Sequence, residues 1–316
     1  MPNQEHILFA PLNWGLGHAT RIVPLIKESL KKGDKVIIGA DGSALAFLQN
    51  EFPELETFRL KGFNIKYWRK PFFNLGLLVQ MPLFYASTII EKHRVKILIR
   101  KHEITKIISD NRYGIRNGNT HNIILTHQLF IKVPKAFKVF ESVVHQLTKI
   151  LIKKFDECWV PDYAEYERSL SGELSHGRGV PKNVKYIGPL SRFQNYTLKL
   201  SEKDMSDVLI LISGPEPARS HFEQQMVVRF RNSEKQVFMV CGKPGNKSEL
   251  IDGNFRKVNH LSTEELCQEI KNSKLIITRS GYSTIMDLHV LGRKAELSPT
   301  PGQSEQEYLA EYYKNN

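Results

Sequence analysis

A run of apolar, mostly β-branched residues that stops at a glycine turn and then becomes a helix leaves few folds open. Leu275-Ile276-Ile277-Thr278 is such a run, and its composition is that of a strand buried on both faces of a parallel sheet. The turn Arg279-Ser280-Gly281 follows. Ser283 or Thr284 is then placed to cap a helix whose Ile285, Leu288 and Leu291 fall at helical spacing, with Gly292 closing it. A second short strand at Ala295-Glu296-Leu297-Ser298 leads through the Pro299–Gln303 loop to another helix near Ser304. In a sheet of this kind ligands sit at the carboxyl ends of the strands, where loops meet helix starts. The Arg279-Ser280-Gly281 turn therefore offers N–H groups and a helix dipole to an anion. Asp287 on the same helix can accept hydrogen bonds from ribose hydroxyls, and Gln303 and Gln306 add amides.

The same strand–loop–helix grammar opens the chain. His6 to Pro11 reads as a strand, Asn13-Trp14-Gly15-Leu16-Gly17-His18 as its loop, and Ala19 to Lys32 as a helix with Ile22, Leu25, Ile26 and Leu30 on one face. Gly33 ends the helix and Val36-Ile37-Ile38 is the next strand, completing a βαβ unit. A dinucleotide fingerprint needs a third glycine for helix–strand packing; counted from Gly15, that position is Thr20, and only Asp41 stands near the end of the second strand. A dehydrogenase is disfavoured on that ground.

With 316 residues the chain has room for two α/β domains. Its net charge of +12 is uneven, since residues 1–170 hold 25 Lys/Arg against 16 Asp/Glu and the remainder is near balance. Such a surface suits anionic lipid, nucleic acid or anionic substrates, but no nucleic-acid-binding motif accompanies it. Cys158, Cys241 and Cys267 are far apart with no CxxC, which argues for a reducing compartment and against a zinc site or disulfide scaffold. The N-terminus lacks the basic start of a signal peptide. A cytoplasmic protein, possible at the inner face of the membrane, is the expectation.

Residues 42–58 read as a helix and a short strand. Within the basic window 58–106, residues 72–90 form a 19-residue run without charge. That length can span a membrane, but Asn74, Gln80, Pro82, Ser87 and Thr88 interrupt it. A long domain helix is expected, with peripheral membrane contact as the sharper alternative. Ile104 to Asp110 is a strand ending in Ser109-Asp110-Asn111-Arg112, and residues 122–126 another, followed by His127-Gln128. A helix near 136–154 carries Phe137, Phe140, Val144, Leu147 and Leu151 as a stripe expected to be core. A short helix is expected at Tyr163 and Tyr166, a strand at Val184 to Gly188, and a linker around 193–207. Val208 to Ile212 starts the second domain, followed by Ser213-Gly214-Pro215-Glu216-Pro217 and a helix over 218–230. The loop 242–248 lacks P-loop spacing. Ser262 to Glu265 fits a capping box.

Arg-Ser-Gly-x-x-Thr-x-x-Asp-Leu-x-x-x-Gly over 279–292, then Pro-x-Pro-Gly-Gln-x-x-Gln over 299–306, resembles the donor-binding region of GT-B glycosyltransferases, family 28 in particular. Gly-x-Gly-His at 15–18 resembles that family's N-terminal loop. The resemblance implies two Rossmann-like α/β domains facing across a cleft: 1–192 on the acceptor side, 193–207 as linker, and 208–316 binding the nucleotide-sugar. It implies donor contacts from Arg192, Ser213, Gly214, Arg279, Ser280, Gly281, Thr284, Asp287, Gln303 and Gln306. Asp287 stands where most members carry Glu for the ribose, and Pro215 and Pro217 leave the 213–217 turn poor in N–H donors. Arg192 would meet the diphosphate, for which a guanidinium is suited. Gly15, Gly17, Asn111 and Gln128 would lie on the acceptor side. His18 is a general base or orienter, or else a histidine capping its own loop; Asp110 is the alternative base. Family members usually continue past the last helix with further helices packing back on the first domain, so the expectation is either a short ending at Asn316 or a truncated C-terminal domain.

The expected activity is transfer of a sugar from a nucleotide-linked donor, UDP above all, to a sugar, lipid-linked or other hydroxyl acceptor. The resemblance implies inversion; no Asp-x-Asp pair is present, so no metal is expected, and no cofactor is expected. A UDP-sugar 2-epimerase of the same fold and a non-catalytic basic surface-binding protein are the alternatives.

Overall fold

The computed structural model describes residues 4–62, 73–194, 196, 206–244 and 248–315, with only the backbone at 73–85 and 135–136. The chain forms two sheets. The first contains β1 (His6–Pro11), β2 (Lys35–Ala40), β3 (Glu56–Arg59), β4 (Lys106–Asp110), β5 (His121–Leu125), β6 (Glu157–Val160) and β7 (Val184–Tyr186). Their order is β3-β2-β1-β4-β5-β6-β7, and every pairing is parallel. The second contains β8 (Val208–Leu211), β9 (Val237–Val240), β10 (Glu249–Asp252), β11 (Phe255–Val258), β12 (Leu275–Thr278) and β13 (Glu296–Leu297). Its order is β10-β11-β9-β8-β12-β13, with β10 alone antiparallel. Parallel strands need crossovers, which the helices α1 (Gly17–Lys31), α2 (Gly42–Glu51), α3 (Phe73–His102) and α4 (Glu141–Ile152) supply in the first half. The second half uses α5 (Ala218–Phe230), α6 (Thr263–Asn272), α7 (Tyr282–Val290) and α8 (Ser304–Asn315).

Helices on both faces bury both side-chain sets of each central strand. Ile7 and Phe9 join one cluster, Leu8 and Ala10 the opposite one. The first cluster crosses the domain boundary, because Tyr282, Ile285 and Met286 of α7 and Leu309 of α8 pack into it. Burying each large apolar side chain is worth about 1.5–3 kcal/mol, so the two halves share a core at this seam.

Sequence patterns set most of these elements. α6 begins with the expected capping box: Glu265 N–H donates to Ser262 Oγ at 3.2 Å, and Ser262 N–H donates to Glu265 Oε2 at 2.8 Å. Three expectations need correction. Neither Ser283 nor Thr284 caps α7; Gly281 occupies the N-cap with no side-chain cap. Ser283 Oγ instead donates across the domain boundary to Gly17 O at 2.9 Å. The region of Tyr163 is a turn, with a 3-10 turn at Tyr166–Arg168. Finally, the stripe before and along α4 is not core: Phe140 and Leu147 face solvent, and Thr148 and Ile152 are the residues α4 buries.

α8 packs back on the first domain. Its Tyr308 hydroxyl accepts from Glu173 N–H at 2.8 Å, while Tyr312 and Tyr313 donate to Ser169 O and Leu170 O at 2.9 and 3.0 Å. The stretch 72–90 falls partly outside the described residues, as does most of the 193–207 linker. Among the described residues no helix is long and apolar enough to cross a membrane. The three cysteines are free and buried.

Candidate active site

In both sheets the strand order reverses beside the central strand, at β1/β4 and at β8/β12. Such reversals open a crevice at the carboxyl ends. The two crevices face each other and form one cleft of about 320 Å³. Glycine loops meet across it. A Cβ on Gly15, whose φ of +75° favours glycine, would lie 3.4 Å from Gly214 Cα. A Cβ on Gly17 would come within 2.9 Å of Ser283 Oγ.

On the N-terminal wall, α1 starts at Gly17 and brings His18 and Arg21, three residues apart, onto one face. Asp110 ends β4, next to β1 in the sheet, and is fully buried. His18 Nδ1 lies 3.1 Å from Asp110 Oδ1 and 3.0 Å from Arg21 Nη2. Arg21 closes a bidentate grip on the carboxylate, with Nε donating to Oδ2 at 2.7 Å and Nη2 to Oδ1. Burial pushes the Asp110 carboxyl up, but Arg21 and His18 outweigh it and hold the group below the usual carboxylate range.

The network continues into the other domain. His127 Nδ1 lies 3.3 Å from Arg21 Nη1, and its Nε2 lies 2.9 Å from Glu305 Oε1 in the first turn of α8. Gln128 Nε2 donates to Glu305 Oε2. Burial holds His127 below its ordinary pKa, and the Tyr282 ring stacks on it at 4.1 Å. A neutral imidazole fits both contacts, accepting from Arg21 through Nδ1 and donating to Glu305 through Nε2.

On the C-terminal wall the start of α7 is open: at Gly281 a Cβ would meet nothing within 4 Å, and the helix has no side-chain cap. Two turns along, Asp287 accepts from Ser191 Oγ at 2.6 Å. Burial pushes its carboxyl up to about 6, against Arg192 and Ser191. Arg192 lies beneath the aromatic rings of Phe47 and Phe193, at 5.5 and 5.0 Å. Its Nε and Nη1 are buried without a hydrogen-bond partner among the described residues, an arrangement that costs free energy unless something accepts from them.

Of the residues singled out in the sequence, Gly15, Gly17, His18, Asn111, Gln128, Arg192, Ser213, Gly214, Gly281, Thr284, Asp287, Gln303 and Gln306 all line this cleft. Asp110 stands directly behind His18. Arg279 and Ser280 are not in the lining. Arg279 donates to Ser298 O and Pro299 O at 3.3 and 2.7 Å and lies 4.0 Å from the Phe222 ring, while Ser280 Oγ donates to Gln306 O at 2.7 Å. Both shape the loop that delivers Gln303 and Gln306. Sequence reasoning missed Arg21, Tyr282 and Glu305 and left His127 open. The i, i+3 spacing of His18 and Arg21 was a usable signal; nothing local marks Glu305, whose partners lie 177 and 178 residues away.

Residues 215–316 match the family described as the glycosyltransferase family 28 C-terminal domain. The chain is 24% identical over 313 residues to an uncharacterized glycosyltransferase of Methanosarcina acetivorans, covering 93% of this chain and 79% of that protein. Among solved structures it resembles the glycotransferase of kitacinnamycin, with TM-score 0.62 at 14% identity over 99% of this chain and 85% of that one. It also resembles the glycosyltransferase SnogD from Streptomyces nogalater, with TM-score 0.57 at 13% identity over 98% and 85%. The architecture is that of the GT-B fold.

Proposed function

We propose that this glycosyltransferase of the GT-B fold moves a sugar from a UDP-linked donor to an acceptor hydroxyl by a single inverting displacement. The observation that carries the reading is the buried Arg192, whose Nε and Nη1 have no hydrogen-bond partner among the described residues, in the same cleft as the His18–Asp110 pair. The donor side holds the nucleotide: Asp287 faces the ribose, and Gln303 and Gln306 supply amides to the sugar. Arg192 and the open N–H groups at the start of α7 take the diphosphate.

The chemistry needs one proton acceptor and one sink for negative charge. With its Nδ1 proton directed at Asp110, His18 keeps the Nε2 lone pair free. As the acceptor oxygen attacks the anomeric carbon, Nε2 takes its proton and the bond to the diphosphate breaks. The leaving group departs with an added negative charge, met by Arg192 and the α7 dipole. Arg21 fixes the carboxylate that fixes His18. On this reading positive charge on the leaving group comes from the protein, so the reaction needs neither a metal nor a cofactor. Reduced, buried thiols fit action in the cytoplasm, and the acceptor is proposed to be held at the membrane surface.

Calorimetric titration with UDP, with NAD as control, tests the donor side. Saturable UDP binding weakened by Asp287→Ala is expected; binding of NAD alone would sink the proposal. For the acceptor side, His18→Ala should lower turnover by about 10²–10⁴-fold with UDP affinity unchanged. An undiminished rate removes His18 as the base.

A further inference from the structure

A histidine base works through one ring nitrogen, and the partner of the other nitrogen decides whether that one is free. His18 Nδ1 has two neighbours with opposite consequences. Toward Asp110 Oδ1, 3.1 Å away, it donates, which leaves Nε2 a lone pair. Toward Arg21 Nη2, 3.0 Å away, it can only accept, which puts the proton on Nε2 and disarms it. The orientation of the Arg21 guanidinium chooses between them. Gripping Asp110 through Nε and Nη2, it commits those N–H groups to the carboxylate. Turned away from Asp110, it would offer them to His18.

The guanidinium is held at its far end. Arg21 Nη1 lies 3.3 Å from His127 Nδ1, and because a guanidinium only donates, this nitrogen of His127 accepts. The His127 proton is then on Nε2, 2.9 Å from Glu305 Oε1. Glu305 Oε2 accepts from Gln128 Nε2, so both carboxylate oxygens are engaged. Tyr282 stacks on the His127 ring at 4.1 Å while its own hydroxyl donates to Pro161 O at 2.7 Å, which pins the plane of the imidazole. Burial, acting against Glu305, holds His127 below its ordinary pKa and so keeps it neutral. Several other contacts across the seam end on backbone: Ser283 Oγ on Gly17 O, Tyr312 Oη on Ser169 O, Tyr313 Oη on Leu170 O. The Glu305 contacts end instead on side chains that line the cleft and lead on to His18.

We infer that Glu305 is a positioning residue: through His127 and Arg21 it holds the His18 proton on Nδ1 and keeps Nε2 open as the base. Without that carboxylate the Nε2 proton of His127 loses its acceptor. The other tautomer of His127 sets an N–H on Nδ1 against Arg21 Nη1, so donor meets donor and the guanidinium turns from Asp110 toward His18. Glu305 also stands between Gln303 and Gln306 in the chain. On the proposed transferase reading, on which this last step rests, the helix start that holds the donor sugar also sets the base for the acceptor. The base is then built by both halves of the chain.

Nitrogen NMR of the full chain, labelled at its histidine side chains and held at about pH 8, reads each tautomer apart from any catalysis. The wild type is expected to show His127 as a single Nε2–H species and His18 as a single Nδ1–H species. Glu305→Ala should turn both into tautomer mixtures, although the Glu305 carboxylate bonds to His127 and Gln128 and not to His18. Glu305→Gln keeps an acceptor for His127, and Gln128 can turn its amide to match, so both single species should return. His127→Phe, which keeps a ring against Tyr282, reads the same step should Glu305→Ala fail to fold; His18 should again lose its single tautomer. A His18 signal unchanged in either variant, or a wild-type His127 protonated on Nδ1, overturns the inference. UDP titration of the same samples separates it from the transferase reading. UDP binding with unchanged tautomers rejects the relay and leaves that reading standing. Coupled tautomers without UDP binding keep the relay and reject the donor.

Discussion

Asp287 links the chemistry of one residue to the stability of the fold. Its folded carboxyl titrates near 6, pushed there by burial, against an ordinary value of 3.8. Between those values the folded state keeps a proton that the unfolded chain releases. The contribution is therefore present in full below about pH 4 and is lost as pH rises through about 6, on the order of 3 kcal/mol in all. Asp287→Asn removes the titration, so wild type should lose stability relative to the variant between about pH 4 and about pH 7. Urea unfolding of both proteins at those two values checks the sign; a constant difference contradicts it. Asp287 was legible because its spacing from a glycine turn is fixed by one helix. Arg21 was half legible, since helical spacing sets it beside His18 but does not show that a carboxylate lies behind both. Glu305 was not legible, because its meaning comes from a histidine on the other domain.

At the scale of elements, the position of α8 follows from a carboxylate outside the cleft. Asp162 accepts from the hydroxyls of Ser169 and Ser171 at 2.7 and 2.6 Å and from the N–H groups of Leu170 and Ser171 at 2.8 and 3.0 Å. That hub fixes the loop on which Tyr312 and Tyr313 seat α8, and α8 begins with the Glu305 and Gln306 that face the cleft. Tyr312→Phe with Tyr313→Phe should cost about 1–3 kcal/mol of stability. The same pair should weaken UDP-sugar binding more than UDP binding, because the amide side of the sugar moves while the ribose side stays. Denaturation and paired titrations separate the two effects; equal loss of both ligands would place the tyrosines in stability alone. Strands and helices were legible here because apolar runs and glycine stops are local. The direction in which α4 faces was not: periodicity defines a stripe, and only the cluster that Ile152 joins with Ile124 of β5 and Cys158 and Val160 of β6 on its other side decides whether that stripe is covered.

The whole molecule depends on how closely its two halves approach. Gly15→Ala puts a methyl into a left-handed backbone and against Gly214, at a cost of about 1–2 kcal/mol in the loop itself. It should strain the loop that leads to Gly17 and His18, so turnover falls while UDP affinity, set within the C-terminal half, is kept. Calorimetry beside a turnover assay checks this; a parallel loss of both would mean that the loop acts on the donor directly. The two-domain plan was legible from length and repeated strand–helix units, whereas the shared core at α7 and α8 was not, since Tyr282 and Leu309 carry no mark of the domain they pack against. No side chain stands between Gly15 and Gly214 at this crossing of the cleft. Side-chain rotation, over in picoseconds to nanoseconds, does not widen it there; a change in the angle between domains does, on the microsecond-to-millisecond scale. Opening at this crossing is therefore a motion of two bodies and not of a side chain.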